Sequence, residues 1–345
     1  MKNFFSLPFH KYLVILITAV AVSWAAIPAW FDISFPRRPG PEFDTQVRKY
    51  YTNLINQEKP DLVIMGDSTM RYGVDPNLLA ERTGKKVLSI DVPGSASAYW
   101  YLVVKNNIVL ARHHPQAVII VFRETMLTAP GYRVQSGYLV RMDEYAAPQE
   151  PILLERAYLN QMGIVEKWAE GYVPLYGARG GIRKEIETQI RYALPSRLFD
   201  CDQPCLEEHV ADVFTTQNLE PGQLRDAVAS AERYLYTPTQ TDFAGQVDRS
   251  FLPEIIRLTR EQGIQLVVIR MKSETKGKGN SDPAGIRQYM SDLATYLEEN
   301  GVIFLDYGRD PRFTHEYFKD AIHLNSKGEL LFTQVIADGL NEALK

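Results

Sequence analysis

The chain has 345 residues, with 38 Lys and Arg against 42 Asp and Glu and a formal net charge of -4. That length leaves room for a large core, either as two domains or as one domain carrying a big insertion. The charge balance leaves no basic footprint and no long run of like charge, which excludes nucleic acid as an expected partner.

The N-terminus departs from this globular composition. Tyr12 to Phe31 is uncharged, and about 20 such residues suffice for a helix to cross the roughly 30 Å core of a bilayer. A cleavable signal peptide is the rival reading, with Lys2 and Lys11 as its basic start and Ser23-Trp24-Ala25 as a loose small-x-small site. The apolar run is longer than a signal core, and Trp24, Trp30 and Phe31 suit an interfacial belt, so the sequence predicts a cytoplasmic tail over 1–11 and a transmembrane anchor over 12–31. The two cysteines, Cys201 and Cys205, close a short Cys-Asp-Gln-Pro-Cys segment. In an oxidising compartment that segment reads as a disulfide loop, with two unpaired thiols as the alternative, rather than a zinc site, because only His209 lies nearby as a further ligand. Anchor and cysteine pair together predict a single-pass protein of the inner, cytoplasmic membrane with its body in the periplasm or another extracytoplasmic space.

After the anchor, residues 32–60 read as a proline-containing linker followed by a leading helix over Phe43 to Asn56. From Asp61 onward strands and helices alternate. Leu62 to Met65, Val87 to Val92 and Ala117 to Phe122 are short Val/Ile-rich runs of the kind buried on both faces in parallel sheets. Helices are expected from Pro76 to Arg82 and from Ala98 to Arg112. Between residues 129 and 245 the strand signal disappears, and helical periodicity replaces it in Leu154/Tyr158/Val165/Trp168, in Ile182/Ile186/Ile190 and in Leu224/Val228/Ala231/Leu235. The alternation resumes with a helix from Val247 to Gln262, a strand from Gln265 to Met271, a helix from Ala284 to Asn300, a strand from Val302 to Asp306 and a last helix from Ser326 to Leu344. The expected fold is α/β: a doubly wound, flavodoxin-like parallel sheet of five strands over 61–128 and 246–345, with a large helical insertion over 129–245 after the third strand.

Two segments carry chemistry. Val63-Ile64-Met65-Gly66-Asp67-Ser68 is an apolar strand that stops at a glycine and delivers a serine where a helix can begin, beside unpaired backbone N–H groups. Asp and Ser after a strand are also ordinary turn and N-cap residues. The balance shifts because Lys319-Asp320-Ala321-Ile322-His323 places a carboxylate and an imidazole on one short segment after the last strand. Strand ends of such a sheet meet along one edge, so His323 can take the proton of Ser68 while Asp320 fixes the imidazole tautomer. A metal site built from His315, Glu316, Asp320 and His323 is disfavoured, because His315-Glu316 lacks the second helical histidine of a zinc-protease motif. No cofactor is expected.

On Gly66-Asp67-Ser68 and Asp320-x-x-His323 the sequence resembles the SGNH (GDSL-type) hydrolase superfamily, in whose order and strand context the two motifs stand. The resemblance implies an oxyanion hole from the backbone N–H of Ser68, that of Gly94 after the second strand, and an asparagine after the third. The asparagine is missing: Arg123-Glu124-Thr125 follows Phe122. Arg123 is a weak substitute donor, and an ion pair with a neighbouring carboxylate is at least as good a reading of it. The anchor and the missing asparagine resemble the membrane-anchored branch that includes the D-alanyl transfer protein of teichoic acid and the alginate O-acetylation proteins. That branch implies O-acyl, notably O-acetyl, transfer to a cell-surface glycan beside a multi-spanning membrane-bound O-acyltransferase. An esterase using water as acceptor, and an inactive assembly or polymer-binding subunit, are the alternatives.

Overall fold

Short runs of Val, Ile and Leu without a polar face are stable as strands only where both faces are covered. In the computed structural model, which describes residues 7–43, 47–193, 205–206, 230, 232–274 and 281–345, five such runs form one parallel sheet. β1 (Leu62–Gly66) and β3 (Ala117–Phe122) are buried at every position. β2 (Val87–Asp91) alternates and β5 (Ile303–Asp306) is half-exposed, as strands at the two edges should be, while β4 (Gln265–Arg270) is buried beyond its first residue. The order is β2-β1-β3-β4-β5. Every pairing is parallel. Each large apolar side chain so buried contributes about 1.5–3 kcal/mol relative to exposure.

The order reverses between β1 and β3, and ligands of open α/β sheets bind beyond the carboxyl ends of the strands at that reversal. Gly66 stands opposite Asp91 on one side and Val121 on the other. The residues just after β1, β2 and β3 therefore meet.

Several helices depart from the sequence expectation. The leading helix begins at Tyr50 and runs to Glu58. Ala98 to Arg112 is regular only over Ser97–Val103 and widens into a π turn over Val104–Ile108. The wide turn sends Asn106 and Asn107 inward, where Asn107 Oδ1 accepts from Thr52 N at 3.2 Å and Asn106 Nδ2 donates to Tyr145 O at 2.6 Å. Leu154, Tyr158, Val165 and Trp168 do not share a helix, because short helical turns over 151–161 end before Gly163, which N-caps a new helix over Ile164–Tyr172. Of the Leu224/Val228/Ala231/Leu235 stripe, all but Leu235 lie outside the described residues, and Leu235 sits in a 3₁₀ turn over Arg233–Tyr236. Cys201 also lies outside them, and with it the expected pairing to Cys205.

Two compact units emerge, one of residues 1–41 and 158–224, the other of residues 42–157 and 225–345. The second holds the sheet. The first holds an N-terminal helix, Leu7–Phe31, of which Phe9–Phe31 is long and apolar enough to span a membrane, with mean hydropathy 2.1. It also holds the Ile164–Tyr172, Pro174–Gly177 and Arg179–Ala193 helices.

Candidate active site

β1 ends at Gly66 because nothing larger fits: a Cβ there would stand 2.7 Å from Met70 Cβ and 3.0 Å from Val121 O. Asp67 then leaves the strand in an extended conformation and caps the one-turn helix Ser68–Arg71, its Oδ1 accepting from Thr69 N at 2.8 Å and Thr69 Oγ1 at 2.6 Å. Ser68 is thereby the first helical residue, its own N–H among the unpaired donors of a helix start.

The segment after β5 is held from three sides. Lys319 N donates to His323 O at 3.0 Å, Glu274 N donates to Ala321 O at 2.9 Å, and Asn325 caps the helix Ser326–Ala343 through Lys327 N and Gly328 N. Within it Asp320 Oδ1 accepts from Ile322 N at 3.0 Å and His323 N at 2.9 Å. His323 Nδ1 lies 2.8 Å from Asp320 Oδ2 and 3.0 Å from Oδ1, and Nε2 lies 2.8 Å from Ser68 Oγ. Partial burial alone would raise the Asp320 carboxyl. The His323 ring and the two backbone N–H groups outweigh it and hold the group at about 2. An ionised Asp320 accepts a hydrogen bond from His323 Nδ1–H, which leaves Nε2 to accept from the Ser68 hydroxyl. The His323 and Tyr72 rings meet edge to face, centroids 5.3 Å apart, and Lys319 Nζ sits over the Tyr72 ring at 2.9 Å from its centroid.

The β2 loop is fastened to the end of β1. Val92 N and Ser95 Oγ both donate to Gly66 O, at 3.1 and 3.0 Å, and Trp100 Nε1 donates to Ser95 Oγ at 3.0 Å. Gly94 lies between them at φ +75, where a Cβ would come 2.5 Å from Tyr138 Cε1. A side chain at 94 would be both strained and blocked.

Arg123 enters the same region from β3. Its Nη2 donates to Asp67 Oδ2 at 3.1 Å and its Nη1 to Glu232 Oε2 at 2.6 Å, with Arg123 itself 1% exposed. Arg133 adds a second cation, 3.0 Å from Glu232 and 3.7 Å from Asp67, and Tyr132 Oη donates to Glu232 Oε1 at 2.8 Å. Burial alone would raise Asp67; Arg123, the Thr69 contacts and Arg133 outweigh it and keep the carboxyl below its usual range. Both terminal nitrogens of Arg123 are thus committed to ion pairs, and Nε is buried without a partner. The ion-pair reading of Arg123 describes its geometry, and the guanidinium underlies the Ser68 turn instead of opening onto solvent. Glu124 and Thr125 are equally occupied, with Arg270 and with Leu235 O.

Asp67 as the floor of the Ser68 turn, and Glu232 as its distant support, are the two members that sequence reasoning missed. Asp67 read as an ordinary turn residue. Glu232 stands 109 positions from Arg123, and no local spacing marks such a pair. Among the described residues no group of three or more His, Cys, Asp or Glu is placed to hold a metal. His315 Nδ1 instead meets Glu274 Oε1.

No protein-family model matches the chain, and no curated protein matches it. A solved structure described as "a putative arylesterase from Agrobacterium tumefaciens str. C58" aligns over 81% of this chain and 98% of that one, at 13% identity and a TM-score of 0.31. At that degree of likeness nothing about the site rests on it. What stands is the arrangement of Ser68, His323 and Asp320 at the reversal point of the sheet.

Proposed function

We propose that the chain is a membrane-anchored serine acyltransferase of SGNH type, moving an acyl group through an acyl-Ser68 onto a hydroxyl of an extracytoplasmic glycan. The observation that carries the serine chemistry is the 2.8 Å approach of Ser68 Oγ to His323 Nε2, with Nδ1 held by Asp320. Ser68 Oγ attacks the acyl carbonyl carbon as its proton passes to Nε2. The tetrahedral oxyanion collapses, the leaving group departs with that proton, and the acyl group remains on Oγ. An acceptor hydroxyl then gives its proton to Nε2 and attacks the acyl carbon, restoring Ser68. The backbone N–H groups of Ser68 and Gly94 are the oxyanion donors of this reading.

Transfer to a glycan is supported by the N-terminal apolar helix, whose last turns fold onto residues 177–181 of the same unit, and by the resemblance to the anchored branch of the superfamily. A multi-spanning membrane-bound O-acyltransferase is the expected acyl source. With water as acceptor the same cycle is an esterase. Release of the alcohol from a chromogenic acetyl ester, measured with and without an oligosaccharide acceptor, separates the two: an acylated sugar in the product supports transfer, and free acetate alone leaves an esterase. Equal turnover by Ser68→Ala would overturn both.

One observation favours a second reading, an anchored subunit without turnover: Arg123-Glu124-Thr125 stands where the superfamily asparagine would be, and all three side chains are spent on buried contacts. The missing donor costs about 3 kcal/mol of transition-state stabilisation if nothing replaces it. Complementation of a deletion strain by Ser68→Ala would select this reading, because a scaffold has no use for the hydroxyl.

A further inference from the structure

The Ile164–Tyr172 helix is built inside out. Its buried side carries Glu170, 6% exposed, and Gly171, whereas Ile164 (89%), Val165, Trp168 and Tyr172 stand in the open. These four recur at helical spacing on one stripe, and Leu175 in the next helix is exposed too. A surface helix in water has the opposite arrangement, with its apolar stripe turned to the core. Contiguous exposed apolar side chains of this kind mark a surface that meets something other than water.

The buried side shows what the helix is fastened to. Glu170 Oε1 accepts from Arg37 Nη2 at 2.8 Å, Arg37 N donates to Gly171 O at 3.0 Å, and Arg37 Nη2 donates to Gly177 O at 3.1 Å. Arg179 completes the pairing with Glu170. Gly171 must be small, since a Cβ there would stand 2.9 Å from Arg37 O, and one at Gly177 would stand 2.9 Å from the Phe35 ring. A Cβ at Gly181 would touch the Phe31 ring at 3.2 Å. Arg37 follows the end of the apolar N-terminal helix by six residues, which reach no more than about 20 Å even when fully extended. The inverted helix is therefore held beside the point where the chain leaves its apolar span.

We infer that the Ile164–Tyr172 helix lies in the lipid headgroup boundary, its Ile164/Val165/Trp168/Tyr172 stripe immersed beside the end of the span. Trp168 and Tyr172 stack with centroids 6.3 Å apart, and an indole and a phenol are the side chains that combine an apolar body with a polar tip at such a boundary. The occupant is the membrane because the helix is tied through Arg37 to the chain that has just left the span, and Trp24 and Trp30 of the span are exposed as well. The unit thus meets the bilayer twice, once across it and once along it.

This inference rests on the N-terminal helix being an anchor, and the experiment keeps the two claims apart. The full chain contains four tryptophans, Trp24, Trp30, Trp100 and Trp168, and Trp100 is buried in the sheet unit. Three variants are reconstituted in phosphatidylcholine/phosphatidylglycerol nanodiscs with and without brominated acyl chains: Trp24→Phe with Trp30→Phe, Trp24→Phe with Trp168→Phe, and the triple replacement. The triple variant leaves Trp100 alone, whose blue-shifted, unquenched emission certifies folding and sets the baseline. Bromolipid should quench both Trp30 and Trp168, Trp168 by about half, as for an indole roughly 5–10 Å into the boundary. Quenching of Trp30 with none of Trp168 would overturn the inference and leave the anchor standing; the same holds if Trp168 proves shielded from both bromolipid and aqueous iodide, since protein then covers the stripe. Quenching of neither would remove the anchor and this inference with it.

Discussion

Arg123 at the end of β3 and Arg270 at the end of β4 are both 1% exposed and both ringed by carboxylates, but one carboxylate sets them apart: Asp282 beside Arg270 is held below its usual range like Asp67 and Glu232, whereas Glu124 is not. Around Arg123, Asp67 and Glu232 are each held below the usual carboxylate range: burial opposes ionisation, and Arg123 with its neighbours overcomes it. Around Arg270 stand Asp282, Glu124 and Asp306, at 2.8, 3.3 and 3.4 Å. There burial wins at Glu124, whose carboxyl is pushed up although Arg270 pulls it down, and whose backbone sits at φ +46. A buried arginine is thus not by itself a mark of function. In the first network both carboxylates ionise readily, and Arg123 with Asp67 forms the floor of the Ser68 turn. The second ties loops together at the neighbouring strand end.

The proposed reacting groups set the scale on which this contrast is read. Ser68→Ala should lower kcat by a factor on the order of 10⁴–10⁶ with no loss of folding stability, as for a nucleophile whose removal leaves only residual binding effects. Asp320→Asn, which keeps the shape but forces the wrong imidazole tautomer, should cost about 10⁴ in kcat. Steady-state kinetics on an activated ester, with a urea melt of each variant, checks both. Unchanged turnover in either would remove the premise that Arg123 lies beneath a working nucleophile.

Next come the arginines themselves. Arg123→Met and Arg270→Met each leave buried carboxylates unpaired and should each destabilise by about 3–5 kcal/mol in urea unfolding. Their kinetics should separate. In the folded fraction Arg123→Met should lower kcat by roughly 10²-fold, the effect of displacing a reacting atom by about 1 Å, while Arg270→Met should leave kcat unchanged. An equal loss in both would erase the distinction. Arg123→Lys should recover little, because a single ammonium does not fork between Asp67 and Glu232.

The smallest effects lie in acid stability, and they run in opposite directions. Asp320, Asp67 and Glu232 have folded values below their unfolded ones. Their contribution is complete above about pH 5 and is lost as pH falls; for Asp320 the loss extends to about pH 2 and amounts to about 1–2 kcal/mol. Glu124 is raised, so its contribution is present below its unfolded value and is lost as pH rises through its folded one. In urea melts across pH, Asp320→Asn should flatten the acid limb, and Glu124→Gln should gain on the parent protein toward neutral pH. A Glu124→Gln curve that loses ground toward neutral pH would show Glu124 to be ionised like Asp67 and Glu232.

The sheet was legible in the sequence because its strands are uninterrupted apolar runs, and the glycines at 263 and 301 mark helix ends by the positive φ that they adopt. Ser68, Asp320 and His323 could be named because two of the three share a short segment and the third follows a strand. What the sequence hid depends on distance or on context. Glu232 reaches Arg123 across 109 residues, and nothing local announces it. The π turn at Val104–Ile108 looks like continuous helix to a periodicity argument, since the residues its asparagines bond to, Thr52 and Tyr145, lie elsewhere in the chain. Val165 and Trp168 have the spacing of a core-facing stripe, and only the structure reveals that Glu170 faces inward in their place.

The central claim is that the Ser68 hydroxyl is activated by His323, and covalent labelling reads that most directly. The folded, full-length protein is treated with a fluorophosphonate and digested, and the modified residue is located by mass spectrometry. The account predicts a single adduct on Ser68, absent in Ser68→Ala and formed far more slowly in His323→Ala. An adduct on another serine, or labelling of Ser68 at the same rate without the His323 imidazole, would contradict it.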